Sequence, residues 1–285
     1  MEVAEEVTSA PTRRRALAAG AGLAFALAAA PAAAASPRVP RGHPRMRTLH
    51  ITGDSTAAQK YAEAAPETGW GMALPFFLHQ GVAVANHAVN GRSTKSFLDE
   101  GRLDAILKVI RPGDLLLIQF AHNDQKVTDP TRYTEPWSSY QDNLRRYVAG
   151  ARERGAVPVL ATSVERRRFD ADATALRTLG EYPAAMRAVA QDAGVDLLDV
   201  QELSLALWQK LGPETTKTYF NWTPAEQDNT HFNPPGAIAV ARLVAAELLR
   251  TGVLAPRDTR RLDAEIPAEW ITWPDAAPHP EENRS

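Results

Sequence analysis

Five short apolar runs, each followed by a longer amphipathic stretch, organise the chain from residue 48 onward. They are Thr48–Gly53, Val82–Ala88, Asp114–Phe120, Val157–Thr162 and Val195–Val200, and most carry little polar alternation. A strand wetted on one face alternates apolar with polar residues, whereas a strand buried on both faces does not. The runs therefore read as parallel strands with helices packed on each side, since parallel neighbours need a crossover and a helix is the usual one. Helical patterns fill the intervals: Met72–His79, Ser96–Ile110, Tyr140–Arg154, Ala184–Ala193, Gln201–Leu211 and Pro235–Arg250. The last opens on Pro and closes near Gly252, a matched pair of boundary signals. The expected fold is α/β, a three-layer α/β/α sandwich on a five-stranded parallel sheet, in one domain over residues 46–253. Residues 254–285, rich in Pro and charge and carrying Trp270 and Trp273, read as an extension lying on that domain.

Open α/β sheets bind ligands in the crevice beyond the carboxyl ends of their strands, and polar residues are concentrated there. Gly53-Asp54-Ser55-Thr56 follows the first strand, Asn90-Gly91-Arg92-Ser93 the second, and Ala121-His122-Asn123-Asp124 the third. Asp228-Asn229-Thr230-His231-Phe232 precedes the last helix. Singly, each block is an ordinary turn or helix cap. Together they supply an acyl-transfer apparatus. A serine hydroxyl is a poor nucleophile until a base takes its proton, and that base must be oriented by a third group. Ser55, His231 and Asp228 can fill these roles, with Asp228 three residues before His231 and able to curl beneath its imidazole. The oxyanion of a tetrahedral intermediate needs preorganised donors. The Ser55 and Gly91 backbone N–H groups and the Asn123 side-chain amide are the candidates. Asp54 and Asp124 are expected to hold the crevice together by accepting backbone N–H bonds, and His122 either lines the pocket or pins its loop.

These four blocks resemble the GDSL/SGNH hydrolase family, named for its Ser, Gly, Asn and His. Gly53-Asp54-Ser55-Thr56-Ala57, Gly69-Trp70-Gly71, Asn90 to Phe97, Arg166-Arg167-Arg168-Phe169 and Asp228 to Phe232 look like the rhamnogalacturonan acetylesterase branch. The resemblance implies a flavodoxin-like fold, Ser55 as nucleophile and first oxyanion donor, Gly91 and Asn123 as the other donors, and the Asp228–His231 pair as base. It implies no cofactor. Ala121 departs from the pattern, which usually has Gly two residues before the Asn; the added methyl is expected to crowd the strand end and shift Asn123.

Charge adds to what the resemblance implies about the substrate. Arg166, Arg167 and Arg168 trail the fourth strand, and a guanidinium fork matches the carboxylate of an acidic sugar bidentately. Trp70, Trp137, Phe169 and Trp222 are candidates for stacking on sugar faces. Removal of acetyl groups from pectic rhamnogalacturonan is the activity that the resemblance to that branch implies. Acetyl xylan deacetylation or a general carboxylesterase is the alternative, and an inactive glycan-binding module is the reading from outside enzymes. Lys+Arg is 32 against Asp+Glu 34, so no basic field exists to hold nucleic acid. The chain has no Cys, which removes thiolate nucleophiles and Cys-ligated metals. His122, Asp124, Asp228 and His231 lack the spacing of a known metal motif, and no metal is expected.

Residues 1–35 read as an address. Arg13-Arg14-Arg15 precedes the apolar run Ala16–Ala30, and Ala33-Ala34-Ala35 fits a small-residue cleavage site. Arg13-Arg14 resembles a twin-arginine export signal. The run is shorter than the roughly 20 apolar residues that span a bilayer, so no stable anchor is expected. Residues 36–45 are a spacer. A secreted monomer acting on an acetylated polysaccharide is the expectation.

Overall fold

The computed structural model describes residues 46–275. The export signal and spacer expected at 1–45 lie outside the described residues, as does 276–285. Seven strands and seven α-helices are described: β1 (Arg47–Gly53), α1 (Trp70–Ala73), β2 (Val82–Asn86), α2 (Thr94–Asp99), α3 (Arg102–Val109), β3 (Leu115–Gln119), α4 (Gln141–Glu153), β4 (Val157–Ala161), α5 (Tyr182–Ala193), β5 (Asp196–Leu198), α6 (Val200–Lys217), β6 (Phe220–Trp222), β7 (Gln227–Phe232) and α7 (Pro234–Arg250). Strands β1 to β5 form one parallel sheet in the order β2-β1-β3-β4-β5, the flavodoxin-like order with its switch point between β1 and β3.

The pleat explains why the central strands read as unbroken apolar runs. Leu115 and Leu117 of β3 and Val159 and Ala161 of β4 enter one core with Trp70 of α1, Trp208 of α6 and Val240 and Val244 of α7. Leu116, Ile118 and Leu160 point the other way, into a second core with Phe97 of α2, Ile106 of α3, Tyr147 of α4 and Met186 of α5. All five residues of β3 are buried. Helices on both faces make the three layers.

The structure moves several expected boundaries. The helix expected at Ser96–Ile110 is two, because Gly101 takes φ +67° between α2 and α3. The helix expected at Met72–His79 starts at Trp70 and tightens into a 3₁₀ turn over Leu74–Phe77, with Pro75 in its first turn. The helix expected to stop at Leu211 continues as α6 to Lys217 past a break at Gly212. Antiparallel β6 and β7 pair beside the sheet, where only a polar turn was expected. Beyond residue 253, Leu254, Ile266 and Ile271 are buried in the same core as Val244 and Leu248.

Candidate active site

Ser55 stands one residue beyond the buried Asp54, just past the end of β1. The Asp54 carboxylate accepts the Thr56 N–H at 2.9 Å and the Thr56 hydroxyl at 2.7 Å, which folds the chain into a tight turn and projects Ser55. The other Asp54 oxygen meets His122 Nδ1 at 3.3 Å. Burial alone would raise the Asp54 carboxyl, but His122 and the Thr56 donors outweigh it and hold Asp54 below the ordinary carboxylate range. His122, likewise buried, is held below the ordinary histidine value because burial outweighs the attraction of Asp54.

His231 reaches Ser55 from β7. Its Nε2 lies 2.9 Å from Ser55 Oγ and its Nδ1 2.7 Å from Asp228 Oδ2. The other Asp228 oxygen accepts the Thr230 N–H at 2.7 Å and the His231 N–H at 3.0 Å. These bonds require Asp228 to curl back along its own strand, as the three-residue spacing suggested. With Nδ1–H donated to Asp228, Nε2 presents a lone pair to the Ser55 hydroxyl. Burial pushes the Asp228 carboxyl up, but the His231 bond and the two backbone donors leave it lowered. For His231 burial acts downward, and the Asp228 bond together with the charge of Glu67 leaves its pKa raised.

Gly91 and Asn123, from the second and third polar blocks, line the same cleft as Ser55. Gly91 holds φ +75°, a conformation that favours glycine. Among the described residues, neither the Ser55 N–H nor the Gly91 N–H has a hydrogen-bond partner. Asn123 donates one amide hydrogen to the Arg92 carbonyl at 3.0 Å, which ties the second polar block to the third and leaves its other amide hydrogen without a partner among the described residues. Asp124 accepts the Thr94 N–H and the Thr94 and Thr134 hydroxyls, pinning the start of α2. Burial pushes its carboxyl up to about 7 against those bonds. Ala121 is 1% exposed and its methyl lies in the core with Phe97 and Phe120. Asn123, two residues on, is among the residues that line the cleft.

The cleft itself, about 400 Å³, is lined by Ser55, Glu67, Asn90, Gly91, His122, Asn123, Lys126, Arg166, Thr230 and His231. Of the expected carbohydrate contacts, His122 and Arg166 are there. Trp70 is not: it is 1% exposed, and its indole N–H is given to Gln119 at 3.1 Å inside the core, so it has no face to offer a sugar. Arg167 turns away to bond Asn229 Oδ1 at 2.7 Å and the Pro213 carbonyl at 2.8 Å, and its backbone N–H bonds the Asn229 carbonyl. Arg168 is exposed and outside the cleft lining. Sequence reading missed Lys126 and Glu67. Lys126 sits three residues after Asn123 in the same block, a usable signal, whereas Glu67 had none. The metal set considered from sequence is separated into other pairings, and among the described residues no three His, Asp or Glu side chains are grouped to hold an ion.

A family model for the GDSL-like lipase/acylhydrolase family matches residues 51–237, a span that contains every residue of this cleft. The chain belongs to that family. Membership in the GDSL-like family makes it a carboxylic ester hydrolase. The expected resemblance to the rhamnogalacturonan acetylesterase branch is borne out by two Bacillus subtilis (strain 168) proteins. Rhamnogalacturonan acetylesterase RhgT is 44% identical over 214 residues, covering 72% of this chain and 90% of that protein. Probable rhamnogalacturonan acetylesterase YesY is 41% identical, covering 72% of this chain and 94% of its own. Among solved structures, the YxiM protein of Bacillus subtilis superposes with a TM-score of 0.66 at 30% identity, over 73% of this chain and 57% of that one. An acetylxylan esterase from Geobacillus stearothermophilus shares the GDSL-like fold at a TM-score of 0.52 and 17% identity, over 74% of this chain and 96% of that one.

Proposed function

We propose that the protein is an exported serine esterase that removes acetyl groups from polysaccharide, with pectic rhamnogalacturonan as its preferred substrate. The observation that carries this reading is the continuous line Asp228–His231–Ser55, at 2.7 and 2.9 Å, ending in a cleft with unpaired N–H donors. In the proposed cycle His231 Nε2 takes the Ser55 proton as Oγ attacks the acetyl carbonyl. The oxyanion is received by the N–H groups of Ser55 and Gly91 and the amide of Asn123. Asp228 stabilises the imidazolium without taking its proton. Collapse of the intermediate breaks the bond to the sugar oxygen, which takes that proton and leaves as a hydroxyl, and acetyl-Ser55 remains. Water, deprotonated by the same imidazole, then attacks the acetyl carbonyl, and collapse breaks the bond to Oγ, returns the imidazole's proton to Ser55 and releases acetic acid, which ionises to acetate.

Substrate choice rests on a charge asymmetry. Arg166 and Lys126 lie in the cleft together with the carboxylate of Glu67, so an acidic sugar has two cations to meet there. Similarity to proteins named rhamnogalacturonan acetylesterases supports the same choice. Acetate release from a panel of acetylated rhamnogalacturonan, xylan and neutral glycans tests it. Faster release from xylan than from rhamnogalacturonan would move the assignment to the neutral glycans. Export is supported by the Arg13–Ala35 sequence; replacing Arg13 and Arg14 with Lys should leave the precursor inside the cell, and undiminished export would point to a different route.

A further inference from the structure

Lys60 is 1% exposed, one of the largest fully buried side chains of the protein, and the acyl-transfer cycle gives it no task. An ammonium is costly to bury and persists only with partners. Its Nζ lies 2.6 Å from Asn90 Oδ1 and 2.5 Å from Glu67 Oε1. One cation thereby joins three segments: the loop after β1 that carries Ser55, the segment before α1 that carries Glu67, and the loop after β2. Asn90 is the residue before Gly91, whose N–H is the oxyanion donor, and Asn90 and Glu67 both line the cleft.

We infer that Lys60 is a positioning residue of the esterase. Through Asn90 it fixes where the Gly91 N–H points, and through Glu67 it balances the negative charge beside His231. The inference rests on the Ser55–His231–Asp228 reading. Glu67 acts to raise the His231 pKa and Lys60 to lower it, while Asp228 raises it and burial lowers it. His122, Lys126 and Arg166 are the other titratable or charged groups lining the cleft. The Lys60 pKa is itself lowered by burial, with Glu67 opposing, so the ammonium depends on its carboxylate partner.

The two arms of the clamp separate experimentally in kcat and in the pH at which kcat reaches half its plateau, both read on p-nitrophenyl acetate. Lys60→Met removes both arms: kcat should fall about tenfold or more as the oxyanion donor loses its register, and the rising limb should move about half a pH unit upward because Glu67 is left unbalanced. Glu67→Gln should move the limb downward. Asn90→Ala cuts only the oxyanion arm, so kcat should fall with the limb unmoved. The double variant Lys60→Met/Glu67→Gln should return the limb towards the wild-type position without recovering kcat. A merely structural lysine would lower the amount of folded enzyme and leave the pH limb of the survivors in place. An unmoved limb in a folded Lys60→Met protein overturns the charge arm, and full kcat in Asn90→Ala overturns the positioning arm. Should Lys60→Met fail to fold, Glu67→Gln and Asn90→Ala decide the two arms by themselves. Ser55→Ala is measured alongside: its retention of activity would sink the acyl-enzyme reading itself, a result distinguishable from failure of the clamp.

Discussion

In the proposed mechanism Ser55, His231 and Asp228 act on one proton, so their removal should be strongly non-additive. Ser55→Ala and His231→Ala should each reduce kcat by about 10⁴-fold or more, and the double variant should be little worse than either. Ser55→Ala deletes one hydroxyl from a turn held by Asp54 and Thr56, so the melting temperature should hardly change. The pH profile has a definite sign. His231 serves as base only when neutral, and its pKa is raised, so the neutral form is reached later than in a free histidine. Activity should therefore rise through a midpoint above the ordinary value of about 6.5; a midpoint well below it would remove the Asp228–His231 pair from the mechanism. At Ala121 the methyl lies in the core and the residue has no positive φ. Ala121→Gly should then cost stability, on the order of 1 kcal/mol, with kcat unchanged within about twofold; a gain in kcat would show that the methyl does displace Asn123.

Among the elements, the two-stranded ribbon β6–β7 was the least legible in the sequence. Its Asp228–His231 contact was readable, because an Asp three residues before a His can curl beneath the imidazole. Its strand character was not, because Gln227-Asp228-Asn229-Thr230-His231 is polar throughout and short pairs show no apolar period. The five sheet strands were legible because burial on both faces wrote continuous apolar runs. The three arginines after β4 show why side-chain direction stayed hidden: consecutive residues diverge, and only Arg166 lines the cleft, while Arg167 fastens Asn229 on β7. Trp70 illustrates the converse, a conspicuous residue whose placement in a glycine-flanked helix start buries it. These placements separate two functions. Arg166→Gln with Lys126→Gln should lower turnover of an acidic acetylated substrate about tenfold relative to p-nitrophenyl acetate, equivalent to about 1.5 kcal/mol of charged hydrogen bonding. Arg167→Gln should instead slow both substrates alike and lower the melting temperature, because it loosens the strand that carries His231. Equal losses in both experiments would mean that the arginines support the fold alone.

At the scale of the whole molecule, the formal charge of −2 leaves recognition to local groups, so added salt should inhibit turnover of an acidic polysaccharide while sparing a neutral ester. The segment after α7 is also part of the working structure: Ile266 and Ile271 are buried, and the Trp273 indole donates to the Glu67 carbonyl at 2.8 Å. Its removal should disturb the cleft through Glu67 as well as destabilise the core. The sheet order carries a further consequence. Ser55 and Asn123 follow β1 and β3, each hydrogen-bonded on both sides, whereas Asp228 and His231 ride on a ribbon outside the sheet. Amide hydrogens of β1 and β3 should exchange only on global unfolding, and those of β7 through smaller, cheaper openings. On slow heating, esterase activity should then disappear reversibly several degrees before the cooperative loss of helical signal, as His231 departs from a Ser55 that is still held in place.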